Sequence, residues 1–218
     1  MVNINHSRAI IFDCDGVLFN SNTQKSDAFG KVLEGYPAEQ VKSFVKYHKE
    51  TGGVSRYVKF RKFFEEFLNH SGIFEEEYQK VLESFSEECI SIYKNSELTP
   101  GALELLQEIR LLGKPMYVAS GSDENELQAS FELRGIDSFF NGIYGSPKTK
   151  AECVDKINES QRLEEAIFIG DSMSDYSTAK SFGMKFIFMK KYTEMNRDQI
   201  KFCEQEADLV IDSLQDLL

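Results

Sequence analysis

The chain has 218 residues and a mass of 25.0 kDa; its 41% hydrophobic and 28% charged content is that of an ordinary globular protein and excludes a disordered tail or a low-complexity array. Its formal charge of -11 is opposite to that of a general nucleic-acid coat protein, although net acidity leaves room for a local basic pocket around a small anion. No run approaches the roughly 18 apolar residues of a membrane span, the start lacks a signal core, and Cys14, Cys89, Cys153 and Cys203 have neither disulfide-framework nor zinc spacing. A cytoplasmic protein with free thiols is expected, a monomer or weak homodimer with no nucleic-acid or membrane partner.

In chain order, the first element is the near-continuous apolar run RAIIFD at residues 8–13, as expected of a strand buried on both faces in a parallel sheet. From about residue 22 to residue 96 the periodicity is helical, punctuated by Gly35-Tyr-Pro37, Gly52-Gly53 and Ser71-Gly72, which predicts about four helices. Residues 100–112 then carry Leu103, Leu106, Ile109 and Leu112 at helical spacing, with Gly113 as a stop, before a second strand at 114–120. A helix at 124–134, strands at 140–144 and 166–171, a helix at 174–182, and strands at 185–189 and 208–211 follow. This alternation predicts an α/β fold, a doubly wound Rossmann-like parallel sheet made by residues 1–17 and 97–218, with residues 18–96 inserted after the first strand as a helical domain.

In open parallel sheets the site lies at the carboxyl ends of the strands. The first strand ends in DCDGV, which puts Asp13 and Asp15 two residues apart on chain expected to be extended, so that both point the same way. The second ends in Ser120-Gly121-Ser122 just before a helix whose free N–H groups suit phosphate. The third leads into SPKTK, which brings Lys148 or Lys150 to the next helix start, and the fourth into GDSMSD with Asp171 and Asp175. Each strand end thus offers a group suited to phosphate or Mg²⁺. Local roles compete: Asp13, Asp15, Ser120 or Asp171 could cap the segment that follows, and Asp175 could be a first-turn acid.

The motifs DCDGV, ASGS, SPKTK and GDSMSD, in this order, resemble those of the haloacid dehalogenase superfamily of hydrolases, in its capped subfamily of phosphoglycolate phosphatase and β-phosphoglucomutase type. The resemblance implies an Mg²⁺-dependent phosphatase acting on a small phosphorylated metabolite, such as a sugar phosphate or phosphoglycolate. It makes Asp13 the nucleophile that forms an aspartyl-phosphate and Asp15 the general acid and base. It assigns the phosphate to Ser120, the Gly121 N–H and a lysine. The metal falls to Asp13, the Asp15 backbone carbonyl and Asp171, with Asp175 orienting its surroundings. Lys150, followed by Ala-Glu-Cys-Val, matches the family's lysine before a short apolar helix start, with Lys148 as the alternative. Asn20 stands where many relatives carry an aspartate. A phosphomutase of the same fold needs the same acids, and phosphate release without a bisphosphate primer separates the two. A phospho-receiver or a silent binding module has no use for the helical insertion beside intact Asp13, Asp15 and Asp171.

Within the insertion, Lys42, Lys46, Lys49, Arg56, Lys59, Arg61 and Lys62 cluster between residues 41 and 62, and glutamates dominate between 65 and 88. This is either a basic face over an anionic site or two solvated helix faces. Arg56 stands apart, because it follows Gly52-Gly53 on the side of the Phe60, Phe63, Phe64 and Phe67 stripe, where a cation needs a partner. Gly53 and Arg56 are therefore the candidate substrate-reading residues, with Tyr57 and His48 as neighbours. Arg56 is expected to meet a substrate oxygen or a cap carboxylate facing the site; the alternative is a structural arginine joining two cap helices.

Overall fold

Among the described residues six strands form one all-parallel sheet: β1 (Ile10–Phe12), β2 (Met116–Asp123), β3 (Gly142–Ser146), β4 (Ile167–Gly170), β5 (Lys185–Met189) and β6 (Leu209–Ile211). Their spatial order is β3-β2-β1-β4-β5-β6, the doubly wound arrangement expected from the alternation. The computed structural model describes residues 4–69, 72 and 74–218; the chain start through residue 3, and Ser71 of the expected Ser71-Gly72 turn, lie outside the described residues. Nine α-helices are described: α1 (Asn22–Lys31), α2 (Ala38–Glu50), α3 (Arg56–Lys62), α4 (Glu75–Asn95), α5 (Ala102–Leu111), α6 (Glu124–Leu133), α7 (Lys150–Asn158), α8 (Met173–Ser181) and α9 (Arg197–Glu206). None of them is long and apolar enough to cross a membrane.

The strands are apolar on both faces because both faces are covered. Ile10, Phe12, Val118, Ile167 and Ile169 pack on one side with Leu105, Leu106 and Ile109 of α5 and Leu127 and Phe131 of α6. Ile11, Tyr117, Ala119, Phe168 and Phe186 pack on the other with Cys153, Val154 and Ile157 of α7, Ala179 of α8 and Cys203 of α9. The period of two along each strand sends alternate residues to the two layers. Each large side chain removed from water there contributes roughly 1.5–3 kcal/mol. All four cysteines are buried free thiols.

Helices α1 to α4 fill the stretch between β1 and α5, as the helical periodicity predicts. Phe29, Phe44, Phe60, Phe63, Phe64 and Phe85 form their shared aromatic core, and α3 runs on into a π-helical turn, Phe63–Phe67. The insert is rooted where two chain passes cross: the Thr99 N–H donates to the Leu18 carbonyl at 3.0 Å and the Asn20 N–H to the Glu97 carbonyl at 3.0 Å.

Two local expectations are corrected. The second strand does not stop at residue 120 but runs to Asp123, with its pairing to β3 shifting between Ala119 and Asp123. Ser120 therefore caps nothing; Asp123 is the N-cap of α6 and accepts from the Glu126 N–H at 3.0 Å. Likewise Ser172, not Asp171, caps α8, which leaves the Asp171 carboxylate available.

Candidate active site

Register sets the floor of the site. Phe12 lies level with Val118 on one side and Ile169 on the other, so Asp13, Ser120 and Asp171 emerge together where the chain order reverses about β1. The Asp13 N–H donates to the Ile169 carbonyl at 2.9 Å, which holds the residue at the strand tip. Lys150, the first residue of α7, is 3% exposed; its ammonium lies 3.1 Å from Asp13 Oδ1 and pairs more closely with Asp175. Oxygens of Asp13, Asp171 and Asp175 lie within 4.8 Å of one another, all three residues being buried.

This floor holds more negative charge than its own lysine offsets. Burial, then the Asp175 and Asp15 charges, push the Asp13 carboxyl up to about 7, against the opposing Lys150. Burial and the Asp13 and Asp175 charges likewise push Asp171 well above the ordinary carboxylate value. Burial alone would lower Lys150, but Asp13 and Asp175 raise it, so it stays an ammonium. An oxygen-only, carboxylate-rich, buried donor set fits a hard divalent cation, and Mg²⁺ meets it. Asp13 and Asp171 offer free capacity. Asp175 is already occupied by Lys150, by the Ser172 N–H at 2.9 Å and by the Ser172 hydroxyl at 2.6 Å, which leaves it less capacity than its two neighbours.

Asp15 turns away from this floor. The strand ends at Phe12 and Cys14 lies in a turn, so the expected common direction of Asp13 and Asp15 is lost. The Asp15 carboxylate accepts from Ser21 at 2.6 Å, Lys25 at 2.7 Å, Ser122 at 2.8 Å and Tyr93 at 3.0 Å. Burial would raise this acid, but the Lys25 ammonium and the hydrogen bonds from Lys25, Ser21 and Ser122 hold it below the ordinary value. Asn22 completes the ring by donating to Asp171 Oδ2 at 2.7 Å.

The insert supplies the roof. Gly53, at φ +79°, lies against the core: a Cβ there would fall 2.8 Å from the Ser174 Cβ and 3.2 Å from Lys150 Nζ. A Cβ on Gly121 would collide with the Gly53 carbonyl, so two residues without side chains let the roof loop rest on the floor loop. Arg56 is 4% exposed and grips Glu126 of α6 with two nitrogens, at 2.9 and 2.5 Å, while the Ser86 hydroxyl of α4 joins the same carboxylate at 2.5 Å. Tyr57 hydrogen-bonds Asp123 at 2.7 Å. Lys59 lines the cleft beside His48, as does Lys49, which pairs with Glu194 at 2.9 Å.

The structure thus brings together Asp13, Asp15, Ser120, Gly121, Lys150, Asp171, Gly53 and Arg56 around one cleft. Lys148 is the correction: it precedes the N-cap Thr149, points outward and pairs with Glu124 at 2.8 Å, whereas Lys150 lies on the inward side of the first turn. Asn20 is exposed and off the site. The carboxylate that Arg56 meets, Glu126, comes from the core and not, as expected, from the cap. Sequence reasoning missed Asn22, Lys25, Tyr93 and Glu126, and named Ser122 and Lys59 only as members of a strand end and of a basic cluster. Lys25 did carry a signal, since it shares a helical stripe with Ala28 and Phe29, where a lysine is out of place unless paired.

A parallel α/β sheet with an acid-rich, lysine-bearing centre at its strand tips is suited to handling a phosphoryl group. The profile of the haloacid dehalogenase-like hydrolase family matches residues 7–183, and the chain belongs to that family. It is 26% identical to phosphoglycolate phosphatase 1 of Pseudomonas aeruginosa over 97% of this chain and 78% of that protein. It is 27% identical to a phosphoglycolate phosphatase of Rhodobacter capsulatus over 85% and 84%. The crystal structure of a predicted phosphoglycolate phosphatase from Haemophilus somnus superimposes with a TM-score of 0.74 at 20% identity, over 97% of this chain and 96% of the other.

Proposed function

We propose that this chain is a phosphatase that hydrolyses a small phosphorylated metabolite, of phosphoglycolate or sugar phosphate type, through an aspartyl-phosphate on Asp13. The carrying observation is the buried Asp13, Lys150, Asp171 and Asp175 cluster beside Ser120 and Gly121 at the switch point of the sheet. Its relatives named as phosphoglycolate phosphatases support the same reading.

In this reading an Asp13 carboxylate oxygen attacks phosphorus and the bond to the substrate oxygen breaks. Asp15 delivers its proton to that leaving oxygen, then removes one from the water that attacks the phosphoryl-aspartate, releasing phosphate and restoring Asp13. Release from the Lys25 pairing is what makes Asp15 able to carry a proton. Ser120, the Gly121 N–H and the Lys150 ammonium hold the phosphoryl oxygens. Asp13, Asp171 and the Asp15 carbonyl would hold Mg²⁺, which supplies charge neutralisation between the nucleophile and the phosphate dianion. Residues 18–96 act as a cap over the core of residues 1–17 and 97–218, with Gly53 closing on Gly121 and Arg56 fastening the cap through Glu126. A cytoplasmic monomer or weak homodimer belongs to the same reading.

The test is phosphate release from phosphoglycolate, a panel of sugar phosphates and p-nitrophenyl phosphate, with Mg²⁺ and with excess chelator, in the absence of a bisphosphate primer. Mg²⁺-dependent release is expected, abolished in Asp13→Asn. Full activity in chelator, or retained turnover in Asp13→Asn, overturns it.

A further inference from the structure

The cleft is ringed by five cations, Lys25, Lys49, Arg56, Lys59 and Lys150. Four of them are matched by carboxylates: Lys25 by Asp15, Lys49 by Glu194, Arg56 by Glu126, and Lys150 by Asp13 and Asp175. Lys59 is the exception. Among the described residues no carboxylate pairs with it, although it is 1% exposed. Its ammonium reaches only His48, at 2.9 Å to the ring Nδ1 and 3.2 Å to the carbonyl, and lies over the Phe29 ring. An ammonium has three donors, so one N–H has no acceptor among the described residues.

His48 is built to serve that amine. Its ring lies on Phe29, with centroids 3.9 Å apart, and burial together with the Lys59, Lys25 and Lys49 charges keeps it neutral. A neutral ring with its hydrogen on Nε2 accepts through Nδ1 and steers Lys59 without competing for an anion. Burying a cation without a counter-charge is costly, and an arriving anion removes that cost.

We propose that Lys59, steered by His48, receives a second anionic group of the substrate, a carboxylate or a second phosphate, at the end remote from the phosphate that is cleaved. This rests on the phosphatase reading above and adds a substrate class to it: phosphate monoesters carrying a second negative charge, in preference to neutral sugar phosphates. Arg56 cannot fill this part, because both its terminal nitrogens are held by Glu126. The environment adds a proton readout. Burial, then the Lys25 and Lys150 charges, pull the Lys59 amine down to about 7 against the opposing Asp15 and Glu194, with neutral His48 bonded to it from α2. Binding of the second anion at pH 8 therefore draws a proton onto Lys59.

The experiment compares three two-carbon phosphate esters that differ only at the far end: phosphoglycolate with a carboxylate, ethylene glycol bisphosphate with a phosphate, and 2-hydroxyethyl phosphate with a hydroxyl. The wild-type enzyme is expected to favour one or both charged esters in kcat/KM. Lys59→Met should cut that preference about 30-fold, mainly through KM, and Lys59→Arg should keep it. Whichever charged ester is favoured identifies the second group. Binding of the same esters to Asp13→Asn, alone and combined with Lys59→Met or Lys59→Arg, is followed by calorimetry in two buffers of different ionisation heat. Proton uptake at pH 8 is expected where Lys59 is intact and is lost when Lys59→Arg is added to that background. Equal handling of all three esters by the wild type, or a preference that survives Lys59→Met, overturns the subsite and leaves the phosphatase reading standing. Absence of phosphate release from every ester sinks the phosphatase reading instead, and the calorimetry then decides the subsite by itself.

Discussion

The floor and the roof of the cleft are charged in opposite senses. The floor, made by the core, sets Asp13, Asp171 and Asp175 against one lysine, Lys150. The roof, made by the insert, carries Lys25, Lys49, Arg56 and Lys59, and its acids are borrowed from outside α1 to α4: Asp15, Glu194 and Glu126. An excess of carboxylates calls for a metal ion, and an excess of ammonium and guanidinium groups calls for a substrate anion. The salt bridges that bind roof to floor are therefore also the contacts that keep each side's excess partly neutralised. Four of the roof and floor cations have been satisfied in this way, and Lys59 has not.

The sharpest way to break the floor is Asp13→Asn, which removes the proposed nucleophile while preserving shape. A loss of at least about a thousandfold in kcat is expected with an unchanged circular dichroism spectrum. Lys150→Met comes next. It strands Asp13 and Asp175 as buried, unpaired acids, a cost of about 3–5 kcal/mol and a fall in melting temperature of roughly 10 °C. Added Mg²⁺ should restore part of that fall, as thermal unfolding with and without the ion would show.

The roof-to-floor fastening is probed by Arg56 and Glu126. Either one mutated to Ala leaves a buried charge alone, whereas the double variant removes both. A coupling of about 2 kcal/mol in the double-mutant cycle is expected, and additivity would show that Arg56 holds nothing to the core. Lys25→Met weakens the hold on Asp15. Without the ammonium its carboxyl rises, so it keeps a proton to higher pH and the alkaline limb of the kcat/KM profile, set by loss of that proton, moves upward; an unmoved limb would exclude the pairing from catalysis.

The smallest expected effect concerns stability at Lys59. Its folded value, about 7, is below the unfolded one, 10.5. Between these values the unfolded chain holds the extra proton, so stability rises with pH across that window, and the full cost of burying the ammonium is felt below it. Lys59→Met should therefore raise the melting temperature at pH 6.5 by on the order of 5 °C, a gain that shrinks toward pH 10. A constant difference across that range would mean that the amine is not buried as a cation.

From sequence alone, the α/β alternation, the helical insertion after the first strand and the four strand-end motifs were all legible. A parallel strand buried on both faces shows as an unbroken apolar run, and whatever follows its carboxyl end must face the crevice, so Asp13, Ser120 and Asp171 were named by position. The tertiary structure decided the rest. Lys148 and Lys150 differ only in which side of a helix start they leave from, and the turn at Cys14 separates the carboxylates of Asp13 and Asp15. The roof was the least readable part, because charges in it are balanced by residues far along the chain: Lys49 meets Glu194 across 145 positions and Arg56 meets Glu126 across 70. A local pattern records which face of a helix is apolar. It does not record which distant acid a buried cation will find, and that pairing exists only once the insert has folded down onto the sheet.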